Sequence, residues 1–121
     1  MDLSALRQQV MFQIGGDAED VKDFLPHLND YINEAYDRLV MAAHGRHLCP
    51  EDERFQPLSH ELSQPALPAW THRAIADWAT WLVCRNGSAQ RQNRGYAFRK
   101  AFLDVESRLR GAPKHIHNIP L

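Results

Sequence analysis

Apolar residues recur every three or four positions in four separate segments of this chain. This spacing places them on one side of an α-helix, so each segment is predicted to be a helix that buries one face. The intervals between the segments contain glycine and proline, which end helices. The predicted fold is therefore all-α, with helices over roughly 2–14, 26–44, 68–86 and 88–110.

Local signals set the predicted helix ends. Gly15 follows the last apolar position of the first helix, where glycine is common. Pro26 can stand at the start of the second helix, because a first-turn N–H has no intrahelical acceptor to lose. Asn86-Gly87 is predicted to end the third helix in a left-handed turn, and Ser88 is predicted to cap the fourth.

A chain of 121 residues has the length of one ordinary domain. We expect a single helical domain over 1–121, with 112–121 as an extended, flexible tail. Residues 46–67 are predicted to form a long loop, because they contain three prolines and no sustained period. Such a loop either folds over the surface as an ordered arm or orders on assembly. We expect 46–66 and the tail to gain their contacts on assembly.

Three tryptophans lie close together at the third predicted helix: Trp70, Trp78 and Trp81. With Ile75 and Leu82 they form one broad apolar face. A face of this kind is more often part of a core than an aromatic binding platform. We therefore expect Trp78 and Trp81 to be core residues.

No active-site motif is present in the sequence, which lacks a nucleophile elbow, a glycine-rich phosphate loop and an H-E-x-x-H helix. The nearest approach to a zinc site would combine His44, His47 and Cys49 with His115 and His117 of the distant tail, and structural zinc sites normally use two closely spaced pairs. We expect no enzymatic activity, no cofactor and no metal. No stretch is apolar enough to span a membrane, and the first residues lack a signal-peptide pattern, so a cytoplasmic location is expected.

Charge is divided unevenly along the chain. Residues 1–62 hold 12 acidic and five basic residues, a net charge of −7, whereas residues 63–121 hold three acidic and nine basic residues, a net charge of +6. Such asymmetry indicates a charged partner, or two halves that neutralise each other within one fold. Both interpretations stay open at this point.

The fourth predicted helix begins with a polar, basic run: Arg91, Gln92, Asn93 and Arg94. Arginine and asparagine side chains read base edges, and the short turn before this helix allows a helix-turn-helix arrangement. The preceding helix is more apolar than a helix that crosses a DNA backbone needs to be. A basic face that meets an acidic protein is therefore favoured and specific nucleic-acid binding is not expected, with a DNA-binding helical regulator as the alternative.

The order of these segments resembles that of the head–tail connector, or adaptor, proteins of tailed bacteriophages. The resemblance covers nearly the whole chain except parts of 46–66. It departs from the family in the number of tryptophans at the third helix. Two motifs carry it: an L-x-x-Y-I-N-E-A helix, matched by Leu28, Tyr31, Ile32, Asn33, Glu34 and Ala35, and an L-P-x-x-x-x-x-A-I-x-x-W helix entry, matched by Leu67, Pro68, Ala74, Ile75 and Trp78.

The resemblance implies a structural subunit of a phage or prophage. It would form a ring with other copies of itself, join the portal protein to tail proteins and close the DNA-filled head. Assembly would occur in the bacterial host cytoplasm, and the subunit would remain in the virion neck. A ring contact needs two unlike, complementary surfaces, which an acidic and a basic half can supply. The candidate interface residues are Asp30, Glu34, Asp37, Arg91, Arg94, Arg99, Lys100 and the tail residues Ile116, Ile119 and Leu121.

Overall fold

The computed structural model describes residues 1–15, 22–48, 52 and 55–111. Within these ranges the chain forms α-helices and turns and contains no strand, which confirms the all-α prediction. Short 3-10 turns, Leu25–His27 and Ala69–Thr71, lead into the second and third helices. The helices are α1 (Leu3–Ile14), α2 (Leu28–His44), α3 (His72–Cys84) and α4 (Ala89–Gly111).

Helix α3 lies at the centre of the fold and packs against α1, α2 and α4. All four helices contribute to one apolar core, in which Leu6, Ile32, Ile75 and Phe102 are fully excluded from water. Burying side chains of this size stabilises a fold by about 1.5–3 kcal/mol each. The predicted apolar stripes therefore face one another. None of the helices in the described ranges is long and apolar enough to cross a membrane.

The predicted end of α1 is confirmed, but the predicted end of α3 is not. Gly15 ends α1 in the left-handed conformation, at φ 60°, and its N–H donates to the Met11 carbonyl, as a helix-ending glycine should. The predicted left-handed turn at 86–87 is wrong. Arg85 caps α3 in the right-handed conformation, and the Gly87 N–H donates to the Cys84 carbonyl at 3.0 Å. The chain thus turns tightly without a positive φ.

Helices α3 and α4 approach closely at Gly95. A Cβ atom at this position would lie 2.7 Å from the Cys84 Cβ and 2.9 Å from the Trp81 ring. Both distances are too short for non-bonded carbon atoms, so an alanine here would push the helices apart. Glycine in a helix interior costs about 1 kcal/mol relative to alanine. Close packing of α4 against Trp81 compensates for that cost.

Residues 55–67 form an ordered arm over the surface of α1 and α2. Phe55 and Leu58 enter the core, and the carbonyls of Glu61 and Ser63 accept hydrogen bonds from the first N–H groups of α1. The N–H of Ala66 donates to the Tyr36 hydroxyl at 2.8 Å. For this part of 46–66, the expectation that contacts form only on assembly is wrong. The predicted tail, 112–121, lies outside the described residues.

Asn33, on the outer part of α2, holds the arm by both sides of its amide. Its Nδ2 donates to the Leu58 carbonyl at 2.9 Å, and its Oδ1 accepts from the Leu58 N–H at 2.6 Å. The Nδ2 also donates to the Asn29 carbonyl, one turn back on α2. The Asn33 side chain thus supplies hydrogen-bond partners for both the N–H and the carbonyl of Leu58.

We expect Asn33→Ala to lower the free energy of unfolding by about 1–3 kcal/mol, because the half-buried Leu58 peptide would lose both partners. Urea unfolding measures the change. Asn29→Ala is the matched control, since that side chain is exposed and its carbonyl remains. Equal midpoints for the two variants would show that the amide does not secure the arm.

Candidate interaction surface

Charged residues on the outer sides of α2 and α4 form the best candidate for a functional surface. Asp30 and Glu34 lie one turn apart on α2 and are both exposed, as are Arg99 and Lys100 on α4. The core-facing residues of α2 occupy the opposite side of that helix, whereas Arg99 lies at the edge of the buried face of α4, three residues from Phe102 and four from Gly95. These four predicted interface residues are therefore available to a partner.

Asp37, by contrast, makes contacts within the chain that the sequence did not reveal. Its Oδ1 accepts from the Leu48 N–H at 2.7 Å, and its Oδ2 lies 2.9 Å from the His47 Nδ1. The carboxylate therefore holds the segment that leaves α2. Its predicted role as an interface residue competes with this internal one.

Arg94 also makes an internal contact. Its Nη2 donates to the Ile14 carbonyl at 2.8 Å, across 80 residues of sequence. That carbonyl is at the last turn of α1, where the helix has no backbone donor left to offer. A cation at a helix C-terminus also interacts favourably with the helix dipole. Arg94 thus joins α4 to the end of α1.

The start of α4 uses its polar side chains to close the turn from α3. The Gln92 Nε2 donates to the carbonyls of Arg85 and Gly87 at 3.1 and 3.3 Å. The Ser88 Oγ accepts from the Arg91 N–H at 3.2 Å, so the predicted serine cap is confirmed. Gln92 and Arg94, two of the four residues that the DNA-binding alternative would use to contact bases, therefore make hydrogen bonds within their own chain.

The tryptophans divide into one buried, one half-buried and one exposed ring. Trp78 is 8% exposed and lies in the core, as predicted, while Trp81 packs on the core's edge. Trp70 is 52% exposed, so the prediction that it shares their apolar face is wrong. It stands in the 3-10 turn before α3, and a turn of three residues breaks the 3.6-residue period.

Trp81 takes part in an aromatic and basic group at the surface. Its ring centroid lies 5.2 Å from that of Tyr96, which is 52% exposed. The guanidinium carbon of Arg99 lies 6.0 Å from the Trp81 ring. This distance is at the outer limit of a cation–π interaction. The group places partly exposed aromatic surface beside the positive charges of α4.

Arg38 and Glu106 form an ion pair between α2 and α4. The Arg38 Nε and Nη2 donate to the two Glu106 oxygens at 2.9 and 2.8 Å. The same guanidinium lies 4.2 Å from the Trp78 ring centroid. In this pair the cation comes from the acidic half of the chain and the anion from the basic half.

A second buried polar group lies where α1 meets α3. The Gln13 Nε2 donates to the Thr80 Oγ1 at 2.7 Å, and its Oε1 accepts from the Arg73 Nε at 2.9 Å. Asp77, next to them on α3, is buried, with Arg73 at 3.8 Å. Burial raises the pKa of Asp77 to about 6, although the nearby Arg73 charge acts in the opposite direction. The carboxylate is thus destabilising when ionised.

This pKa predicts that stability falls as pH rises. Between the ordinary value of 3.8 and about 6, the folded protein holds a proton that the unfolded chain releases. The loss amounts to about 1–3 kcal/mol and is complete above pH 6. Asp77→Asn should remove this contribution to the pH dependence and stabilise the protein at neutral pH.

Urea unfolding between pH 4 and pH 8 measures this effect, since the interval spans the shift from 3.8 to about 6. Asp104→Asn, at an exposed position of α4, is the control. Parallel pH profiles for wild type and Asp77→Asn would contradict the assignment.

No cluster of three metal-ligating side chains occurs among the described residues. Cys84 is buried with a free thiol. Cys49, His115 and His117 lie outside the described ranges, as do the predicted interface residues Ile116, Ile119 and Leu121.

Comparison with known proteins found no match to a family model, to a curated protein or to a solved structure.

Proposed function

We propose that this chain is a structural subunit of a phage or prophage head–tail connector. It forms a ring of identical copies that joins the portal protein to the tail proteins and closes the DNA-filled head. Assembly takes place in the host cytoplasm, and the ring remains in the virion neck.

The observation that carries this proposal is the pair of unlike charged surfaces on one small helical core. A ring is built by heterologous contacts, in which one surface of a subunit meets a different surface of its neighbour. Asp30 and Glu34 on α2 offer the negative surface, and Arg99 and Lys100 on α4 offer the positive one. Neither carboxylate pairs with a cation in the described part of the chain.

The connector-like motif supports the same proposal, because its residues have consistent structural roles here. Leu28, Ile32 and Ala35 face the core, and Asn33 holds the arm across α2. Glu34, the one charged residue of the motif, is exposed. A helix that braces the fold on one side and presents charge on the other suits a subunit with neighbours.

The DNA-binding alternative is weaker than it was from sequence alone. A recognition helix reads bases with side chains near its N-terminus. In α4 two such side chains, Gln92 and Arg94, bind the turn before α4 and the end of α1. A regulator would have to break these contacts to use them.

Incubation of the full chain with the portal protein from the same genome, followed by electron microscopy, tests the proposal. We expect a ring of added density on the portal. Portal particles without added density would overturn the proposal. Binding to duplex DNA is measured in parallel at several salt concentrations. Tight binding that falls steeply with salt, by about 0.9 log units per contacted phosphate per log unit of salt, would favour the regulator instead.

A further inference from the structure

We propose that neighbouring copies dock through two defined surfaces. The acidic surface consists of Asp30 and Glu34 on α2, and the basic surface consists of Arg99 and Lys100 on α4 beside Tyr96. The acidic surface of one copy meets the basic surface of the next. This inference rests on the proposed ring function and names the contact that builds the ring.

The acidic surface is free to take a partner because the fold does not use it. Asp30 and Glu34 are four residues apart, so they project from the same side of α2. Among the described residues neither has an ion-pair partner, whereas Asp37, further along α2, holds Leu48 and His47. Two like charges one turn apart repel each other, and an opposing pair of cations relieves that repulsion.

The basic surface combines charge with an apolar region. Tyr96 lies three residues before Arg99 and four before Lys100, about one helical turn away from both. About half of the Tyr96 surface is exposed. Its ring lies against Trp81, which fixes its position without burying it. Aromatic residues and arginine are enriched at protein interfaces, where the ring excludes water around the charges.

A second copy suits this surface better than a nucleic acid does. The chain itself carries the complementary anions, on the exposed side of α2. The acidic residues lie on α2 and the basic residues on α4, so one copy carries both of the unlike surfaces that a heterologous contact needs. Phosphate binding would draw on the basic residues at the start of α4, and Arg94 there is bound to the Ile14 carbonyl.

Charge reversal tests the contact with two variants of the full chain. The first carries Asp30→Lys and Glu34→Lys, and the second carries Arg99→Glu and Lys100→Glu. In either variant alone both surfaces have the same sign. In an equimolar mixture each variant again presents the opposite sign to the other, at both of its surfaces.

Sedimentation velocity at low ionic strength measures association, because charge attraction then extends over about 30 Å in 0.01 M salt. We expect the wild type to associate, each variant to remain monomeric, and the mixture to associate again. Arg85→Glu, an exposed reversal on the turn between α3 and α4, should behave as the wild type. Melting temperatures close to that of the wild type would show that the variants are folded.

The inference would be overturned by a wild type that stays monomeric in low salt, by a variant that associates on its own, or by a mixture that does not associate. Wild-type binding to duplex DNA that the second variant loses, without any self-association, would assign the basic surface to nucleic acid. The portal experiment separates this inference from the proposed function. If both variants still decorate the portal as rings, the connector function stands and the contact lies elsewhere.

Discussion

Trp78→Ala is expected to lower the free energy of unfolding by about 3–5 kcal/mol. The ring is 8% exposed, and its centroid lies 4.7 Å from that of Phe102 on α4. The guanidinium of Arg38, on α2, lies 4.2 Å from the same ring. Truncation would therefore leave a cavity where three helices meet. Because whole domains are stable by about 5–15 kcal/mol, the loss should be visible as partial unfolding at moderate temperature.

Urea unfolding of the Trp78→Ala protein measures this loss. Trp70→Ala is the matched control, because the same truncation at a 52% exposed ring should change stability by less than about 1 kcal/mol. Trp78→Phe should fall between the two. If Trp78→Ala and Trp70→Ala unfold at the same urea concentration, Trp78 is not a core residue.

Breaking the ion pair between α2 and α4 should have the next largest effect. Arg38→Met keeps an unbranched side chain over Trp78 but leaves the Glu106 carboxylate, 5% exposed, without its bidentate partner. Removing one member of a buried pair costs about 3–5 kcal/mol. Since the Arg38 side chain is 36% exposed and Arg110 lies 3.7 Å from Glu106, we expect about 2–3 kcal/mol here.

A double-mutant cycle isolates this interaction. The Arg38→Met, Glu106→Leu double variant should be more stable than the sum of the single changes predicts, because no unpaired charge remains in the interface. Arg108→Met, in the exposed last turn of α4, controls for the loss of a positive charge. Strict additivity of the two single changes would show that the pair does not stabilise the contact of α2 with α4.

The helices could be predicted from the sequence because helical periodicity is a local property. Ile32, Ala35 and Leu39 are spaced for one face of a helix, and all three are buried. Asp30 and Glu34, which fall off this face by the same spacing, are exposed. These four-residue and three-residue intervals hold whatever the helix packs against.

The arm could not be predicted in this way. Residues 55–67 have no period, and their attachment depends on single anchors, above all Phe55 and Leu58 in the core. The Asn33 amide pairs with the Leu58 peptide across 25 residues of sequence. Proline-rich composition describes how such a segment avoids helix, but it does not indicate which surface the segment covers.

The polar partners likewise follow from how the helices cross. Arg38 and Glu106 are 68 residues apart, and Arg94 reaches Ile14 across 80 residues. Local spacing does not reveal these pairs, since a charged residue that is buried finds its partner only in the folded chain. The sequence by itself determined the helices, their buried faces and the separation of charge between the two halves. The tertiary structure decided which charges stay available to a partner, because pairing depends on which helix ends and faces the packing brings within hydrogen-bond distance.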